Sequence, residues 1–271
     1  MRSPAVFEAY ERNSPLSALN PTVKLAVSLG LMLVATAVFD LQSLIGIFAL
    51  GLLVALLIGR VPIPVILRGL IPFLLFGIGY FWMNAVLPRD SGTVALEIGP
   101  LSVVHEGMWN GLRFAVRALC FGIYSILFVA TTDPVSFTRS LHQNLGVPPR
   151  FAYSALAAYR YLPALRDELH QIRSAHRLRG LGEGDGLRGK IVQFYRYTIP
   201  LLAASLRRAG RVADSMEVRG LGRESRSIYR RVPVRAIDWW YAAAMFAAVA
   251  LLLWFGVHAG SIELWGGALW S

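Results

Sequence analysis

The sequence predicts an all-α integral membrane protein with about five transmembrane helices and two long amphipathic cytoplasmic helices. Three observations predict it. Of the 271 residues 55% are hydrophobic and 16% charged, with a mean hydropathy of +0.52, whereas soluble domains carry about 25% charged residues. Several uncharged apolar runs approach the roughly 20 residues that cross a bilayer. The charge is also confined: 19 Lys and Arg and 8 Asp and Glu lie between 133 and 236, so the whole formal excess of +11 falls there and the rest of the chain is neutral. Clustered arginine beside membrane spans follows the positive-inside rule, so the pI near 10.4 does not call for nucleic acid, and no nucleic-acid partner is expected. The lone cysteine, Cys120, lies in an apolar stretch. It excludes a disulfide framework or a cysteine metal site within one chain and reads as a small buried hydrophobe.

Residues 1–22 are polar, with scattered prolines and no cleavable signal pattern, and form an N-terminal cytoplasmic segment. Apolar runs at 25–39 and 41–58, broken by Asp40, predict a tight helical hairpin. Arg60, Pro62 and Pro64 end the second run, since proline cannot continue a helix. Further spans are expected at 70–87, 112–131 and 239–257, and the short Trp-rich stretch 261–270 suits the membrane interface. The organisation is thus 1–22, then helices one to four within 23–132, a cytoplasmic helical domain at 133–236, and a last span with the C-terminal segment at 237–271.

Loop charges orient these spans. The first loop has Asp40 and no basic residue, and 88–106 has Arg89 against Asp90, Glu97 and Glu106. Arg60 and Arg68 lie between spans two and three, and the excess of +11 follows span four. The N-terminus and 133–236 are therefore expected in the cytoplasm and the C-terminus outside. Arg113 and Arg117 fall in the outer half of span four, one turn apart on one face. Contact with another membrane subunit, snorkelling, and packing inside the chain are all open to them.

The cytoplasmic segment has helical periodicity. After Pro148 and Pro149, apolar residues recur at Tyr159, Leu162, Leu165, Leu169 and Ile172, and in a second stretch at Leu202, Leu206, Ala209, Ala213 and Met216. Spacings of three and four make an apolar stripe, with most arginines off it. Each stretch ends in Arg-Gly, at Arg179-Gly180 and Arg219-Gly220, and Leu-Gly follows both. Glycine is favoured just past a helix end, and a cation suits the negative end of the helix dipole. Each pair is a good stop signal; two alike, forty residues apart, also describe two basic helix tips suited to docking a partner.

These residues resemble the transmembrane T component, EcfT, of energy-coupling factor transporters. The family's paired Ala-Arg-Gly signatures read here Leu178-Arg179-Gly180 and Val218-Arg219-Gly220, with the alanine replaced both times. Asn20 to Leu25 resembles the family's entry to span one, Thr131-Thr132-Asp133-Pro134 the turn after span four, and Arg160 to Pro163 part of the first coupling helix. Arg207-Arg208-Ala209 and Met216-Glu217 resemble the run into the second signature, and Asp238 the acid opening the last span. The resemblance implies a non-catalytic scaffold of a vitamin or metal-ion importer. Two ABC ATPase subunits, which bind ATP and Mg, would take Arg179, Gly180, Arg219 and Gly220. A substrate-binding S component in the membrane would contact Leu162, Leu165, Leu169, Ile172, Leu202, Leu206, Ala209 and Met216.

Two other readings compete. A conventional ABC permease subunit would form its own substrate path, but usually couples through one short helix. A membrane enzyme would need a catalytic cluster, yet His105, His142, His170, His176 and His258 form no metal-binding pattern. No G-x-x-x-x-G-K-[ST] loop is present, and the glycine-rich stretch at 180–186 lacks the lysine, so it reads as a connector. No catalytic residue, metal site or cofactor is therefore expected in this chain.

Overall fold

The computed structural model describes residues 14–86, 94–98, 101–180, 186–220 and 231–258. Its helices are α1 (Pro21–Ala37), α2 (Leu41–Leu53), α3 (Ile63–Val86), α4 (His105–Thr131), α5 (Pro134–Leu145), α6 (Pro149–Leu178), α7 (Gly186–Val218) and α8 (Ala236–His258). A 3-10 turn, Pro15–Ala18, precedes α1, and a π-helical turn, Val54–Ile58, extends α2. The expected all-α membrane fold is present. An addition is a short antiparallel hairpin, β1 (Val94–Ile98) with β2 (Leu101–Val104), in a segment that reads as a plain loop in sequence. The stretch 261–270 lies outside the described residues.

Among the described residues four helices are long and apolar enough to cross a membrane: Leu41–Ile58, Ile63–Asn84, Gly107–Thr131 and Ala236–Gly256. The other expected span, α1, has 17 residues. That is about 25 Å of helix against a hydrocarbon core of about 30 Å. The third span begins at Ile63, not 70. Pro64 sits in its first turn, where a missing N–H leaves no bond unmade. Similarly, α4 starts seven residues before the apolar run that marks it in sequence.

The chain divides into two compact units, one of residues 1–137 and 232–271, the other of 138–231. The core of the first holds Leu31, Leu44, Ile47, Ile123, Tyr124, Met245 and Val249, from α1, α2, α4 and α8. Burying a polar hydroxyl there requires a partner, and Tyr124 donates to the Ile47 carbonyl at 3.0 Å. Small residues bring α3 onto α4: a methyl at Gly111 would lie 3.0 Å from the Phe81 backbone, and one at Gly77 would lie 3.1 Å from that of Ala115. Close backbone approach is a usual way for helices to associate in lipid. The remaining face of α3, with Leu67, Leu74, Phe76 and Trp82, is exposed and suited to acyl chains.

Two buried cations join α1 and α4 end to end. Lys24, in the first turn of α1, donates from Nζ to the carbonyl of Thr131, the last residue of α4, at 2.7 Å. Arg117 of α4 donates from Nε to Ala35 at 3.0 Å and from Nη2 to Val38 at 2.6 Å, at the end of α1. Terminal carbonyls lack intrahelical donors and carry the negative end of the dipole, so each cation answers the other helix's C-terminus. The Arg117 guanidinium also lies 5.0 Å from the Phe39 ring centre and 4.9 Å from that of Phe114. Of the readings left open for it, packing inside the chain is the one observed. Arg113 donates to Asn110 Oδ1 at 3.2 Å.

Candidate functional site

The second unit contains the paired helix ends. At the end of α6, Arg179 N–H donates to the Ala175 carbonyl and Gly180 N–H to that of Arg177, at 3.2 and 3.0 Å. At the end of α7 the pattern repeats, from Arg219 to Ser215 and from Gly220 to Glu217, at 3.3 and 2.8 Å. Both glycines are left-handed, with φ of 70° and 78°, a conformation that side chains with a Cβ resist. The arginines are exposed, and the residues before them more so: Leu178 is 90% and Val218 89% exposed. Each tip therefore presents a bare aliphatic side chain and a guanidinium together.

The helices run in opposite directions. Arg208 of α7 lies 3.6 Å from Glu168 of α6 and over the Tyr161 ring, at 4.7 Å. Nearer the end of α6, Arg173 lies 5.7 Å from the ring centre of Tyr197, and His176 packs edge-on to the same ring. As numbers rise along α6 they fall along α7, so the tips point to opposite ends of the pair. At 1.5 Å per residue they are on the order of 30–40 Å apart.

The apolar stripe divides between two surroundings. On α6, Leu165, Leu169 and Ile172 are partly buried, and Leu162 is more exposed. On α7 the less exposed face carries Tyr197, Leu201, Ala204 and Arg208, with Met216 half-buried near its edge. Leu202 and Leu206 lie on the other face, 62% and 76% exposed, with Ala209 also exposed. Ile191, Tyr195 and Ile199 extend that open row toward the start of α7 at helical spacing. The stripe read from spacing on α7, Leu202 to Met216, is thus largely its open face, and the face that meets α6 at Tyr197 and Arg208 is one the spacing does not single out.

Three further motifs, around Asn20, Asp133 and Asp238, lie in the first unit. Asn20 caps α1 through Oδ1 to Thr22 N–H at 3.0 Å and donates from Nδ2 to the Val232 carbonyl at 3.1 Å. Its own N–H donates to Asp238 Oδ1 at 2.7 Å, and Arg235 N–H donates to Asp238 Oδ2 at 2.7 Å. Asp238 is 1% exposed and Lys24 3%. Asp133 caps α5, accepting from Ser136 N–H at 2.8 Å. Sequence identified these residues as motifs without a role; the structure makes them one polar cluster. Among the described residues no three His, Cys, Asp or Glu side chains converge as a metal site would require.

Residues 12–229 match the family described as cobalt transport protein, CbiQ. The chain is similar to the energy-coupling factor transporter transmembrane protein EcfT of Heliobacterium modesticaldum, 29% identical over 254 residues, which cover 89% of this chain and 94% of the relative. It is 27% identical to that of Thermosediminibacter oceani over 264 residues, covering 93% and 96%. For Lacticaseibacillus paracasei the figures are 29% over 247 residues, covering 87% and 92%.

Proposed function

Because the chain belongs to the CbiQ family of cobalt transport proteins and resembles energy-coupling factor transporter membrane components over most of its length, we propose that it joins two cytoplasmic ATPases to a separate substrate-binding membrane subunit. In this reading the ATPases bind ATP and Mg and do the hydrolysis. This chain performs no chemistry and carries their closure into the membrane. The N-terminus and residues 133–236 are cytoplasmic, in a prokaryotic cell membrane. The cargo is a vitamin or a metal ion, selected by the other membrane subunit.

The observation that carries the reading is the pair of equivalent tips. Two ATPases need two similar docking points, held apart on one stiff body. Arg179 and Arg219 sit in matching caps on oppositely directed helices. A guanidinium offers several fixed donors and a permanent charge to carboxylate or carbonyl partners. Leu178 and Val218 add an aliphatic group of larger size than the family alanine. The exposed row of Leu202, Leu206 and Ala209 supports an apolar contact with the substrate subunit, to which Leu162 and the partly buried Leu165, Leu169, Ile172 and Met216 are assigned as well.

Purification in mild detergent, with identification of the proteins that accompany the chain, tests this. Two ABC ATPases and one small membrane protein are expected. A chain that purifies alone and turns over a substrate would instead be an enzyme.

A further inference from the structure

We propose that the first turn of α1 is a clamp through which force enters the membrane unit, with Asn20 and Lys24 as its positioning residues. The inference rests on the transmission role proposed above. The chain leaves the membrane unit once, after α4, and returns once, before α8. Both passages are fastened to the same helical turn. Lys24 holds the departing chain by the Thr131 carbonyl at 2.7 Å. Asn20 holds the returning chain by the Val232 carbonyl at 3.1 Å, and Asp238 ties Asn20 and Arg235 together at 2.7 Å each.

The clamp is stiff for identifiable reasons. Asp238 and Lys24 are almost fully buried, and hydrogen bonds of charged groups in such places are strong and costly to break. Phe137, at the start of the departing helix, packs edge-on against Phe128 of α4, their centres 5.3 Å apart. At the far end of the same α1–α4 pair, Arg117 fixes the end of α1. A pull on Thr131 or on Val232 therefore reaches the α1–α4 pair through these bonds.

The test uses the whole complex with its ATPases in lipid nanodiscs. An environment-sensitive fluorophore is placed on α3 at Leu67, Leu74 or Trp82, all exposed, and the signal change on adding ATP with vanadate is recorded beside ATP hydrolysis. Asn20→Ser keeps an N-cap oxygen but loses the amide that reaches Val232. Lys24→Met removes the donor to Thr131 at similar length. Each variant is expected to retain hydrolysis while the ATP-driven signal falls about fivefold or more, the lower end of ordinary coupling factors. A merely structural defect lowers both together. If signal and hydrolysis keep their wild-type ratio in Asn20→Ser, the clamp is wrong, and that variant decides the matter even where Lys24→Met fails to assemble. If the wild-type complex hydrolyses ATP with no signal at any of the three positions, the transmission role itself fails.

Discussion

Arg117 is 6% exposed and donates to two carbonyls at the end of α1, whereas Arg179 and Arg219 stand open at helix tips. The same side chain therefore has opposite mutational signatures. Arg117→Met strands two buried acceptors, at about 1.5–3 kcal/mol for each charge-assisted bond lost, so thermal melting in detergent should fall clearly while ATPase attachment per folded molecule is kept. Arg179→Ala with Arg219→Ala should leave melting in place. It should weaken ATPase attachment about tenfold or more per tip, since each lost contact is worth about 1.5–3 kcal/mol. Binding of the purified ATPases to immobilised chain measures this; unchanged affinity in the double variant would reduce the tips to stop signals. The tip arginines are legible in sequence because their glycines and their repetition are local. The role of Arg117 is not, because its acceptors lie 82 and 79 residues away.

At the level of helices, α6 and α7 follow from spacing and from their glycine ends, and the left-handed caps at Gly180 and Gly220 are what Arg-Gly predicts. Gly180→Ala and Gly220→Ala should each strain the cap by about 1–2 kcal/mol, seen as faster amide exchange in the final turn and not around Tyr197. Which face of α7 meets α6 is settled by tertiary pairing at Tyr197 and Arg208, which no single helix encodes. The consequence is a sharper choice of probe. Leu206→Gln, on the open face, should leave the fold intact and loosen the substrate subunit, an apolar contact of that kind being worth about 1.5–3 kcal/mol. Leu169→Gln, half-buried, should cost fold stability as well. Crosslinks from position 206 that stay within this chain in an intact complex would contradict the contact. The early start of α3 was hidden because prolines at 62 and 64 read as a break when they are also a helix entry.

For the molecule as a whole, charge placement and apolar runs were enough to foresee a helical membrane protein with a basic helical segment, while the polar cluster of Asn20, Lys24 and Asp238 needed three distant stretches brought together. Orientation is testable directly. Cysteines at Gly184 and Thr93, both outside the described residues, should react with an impermeant maleimide from opposite sides of a vesicle, and labelling of both from the same side would overturn this topology. The two passages held at one turn of α1 also bear on how such chains diversify. Thr131 and Val232, which precede and follow the helical unit in the chain, are held at one turn of α1, and closely spaced attachment points are the arrangement in which whole segments are most easily grafted. Recombination can exchange that helical pair as a cassette, with a new pair of tips, and leave the lipid-facing frame unaltered.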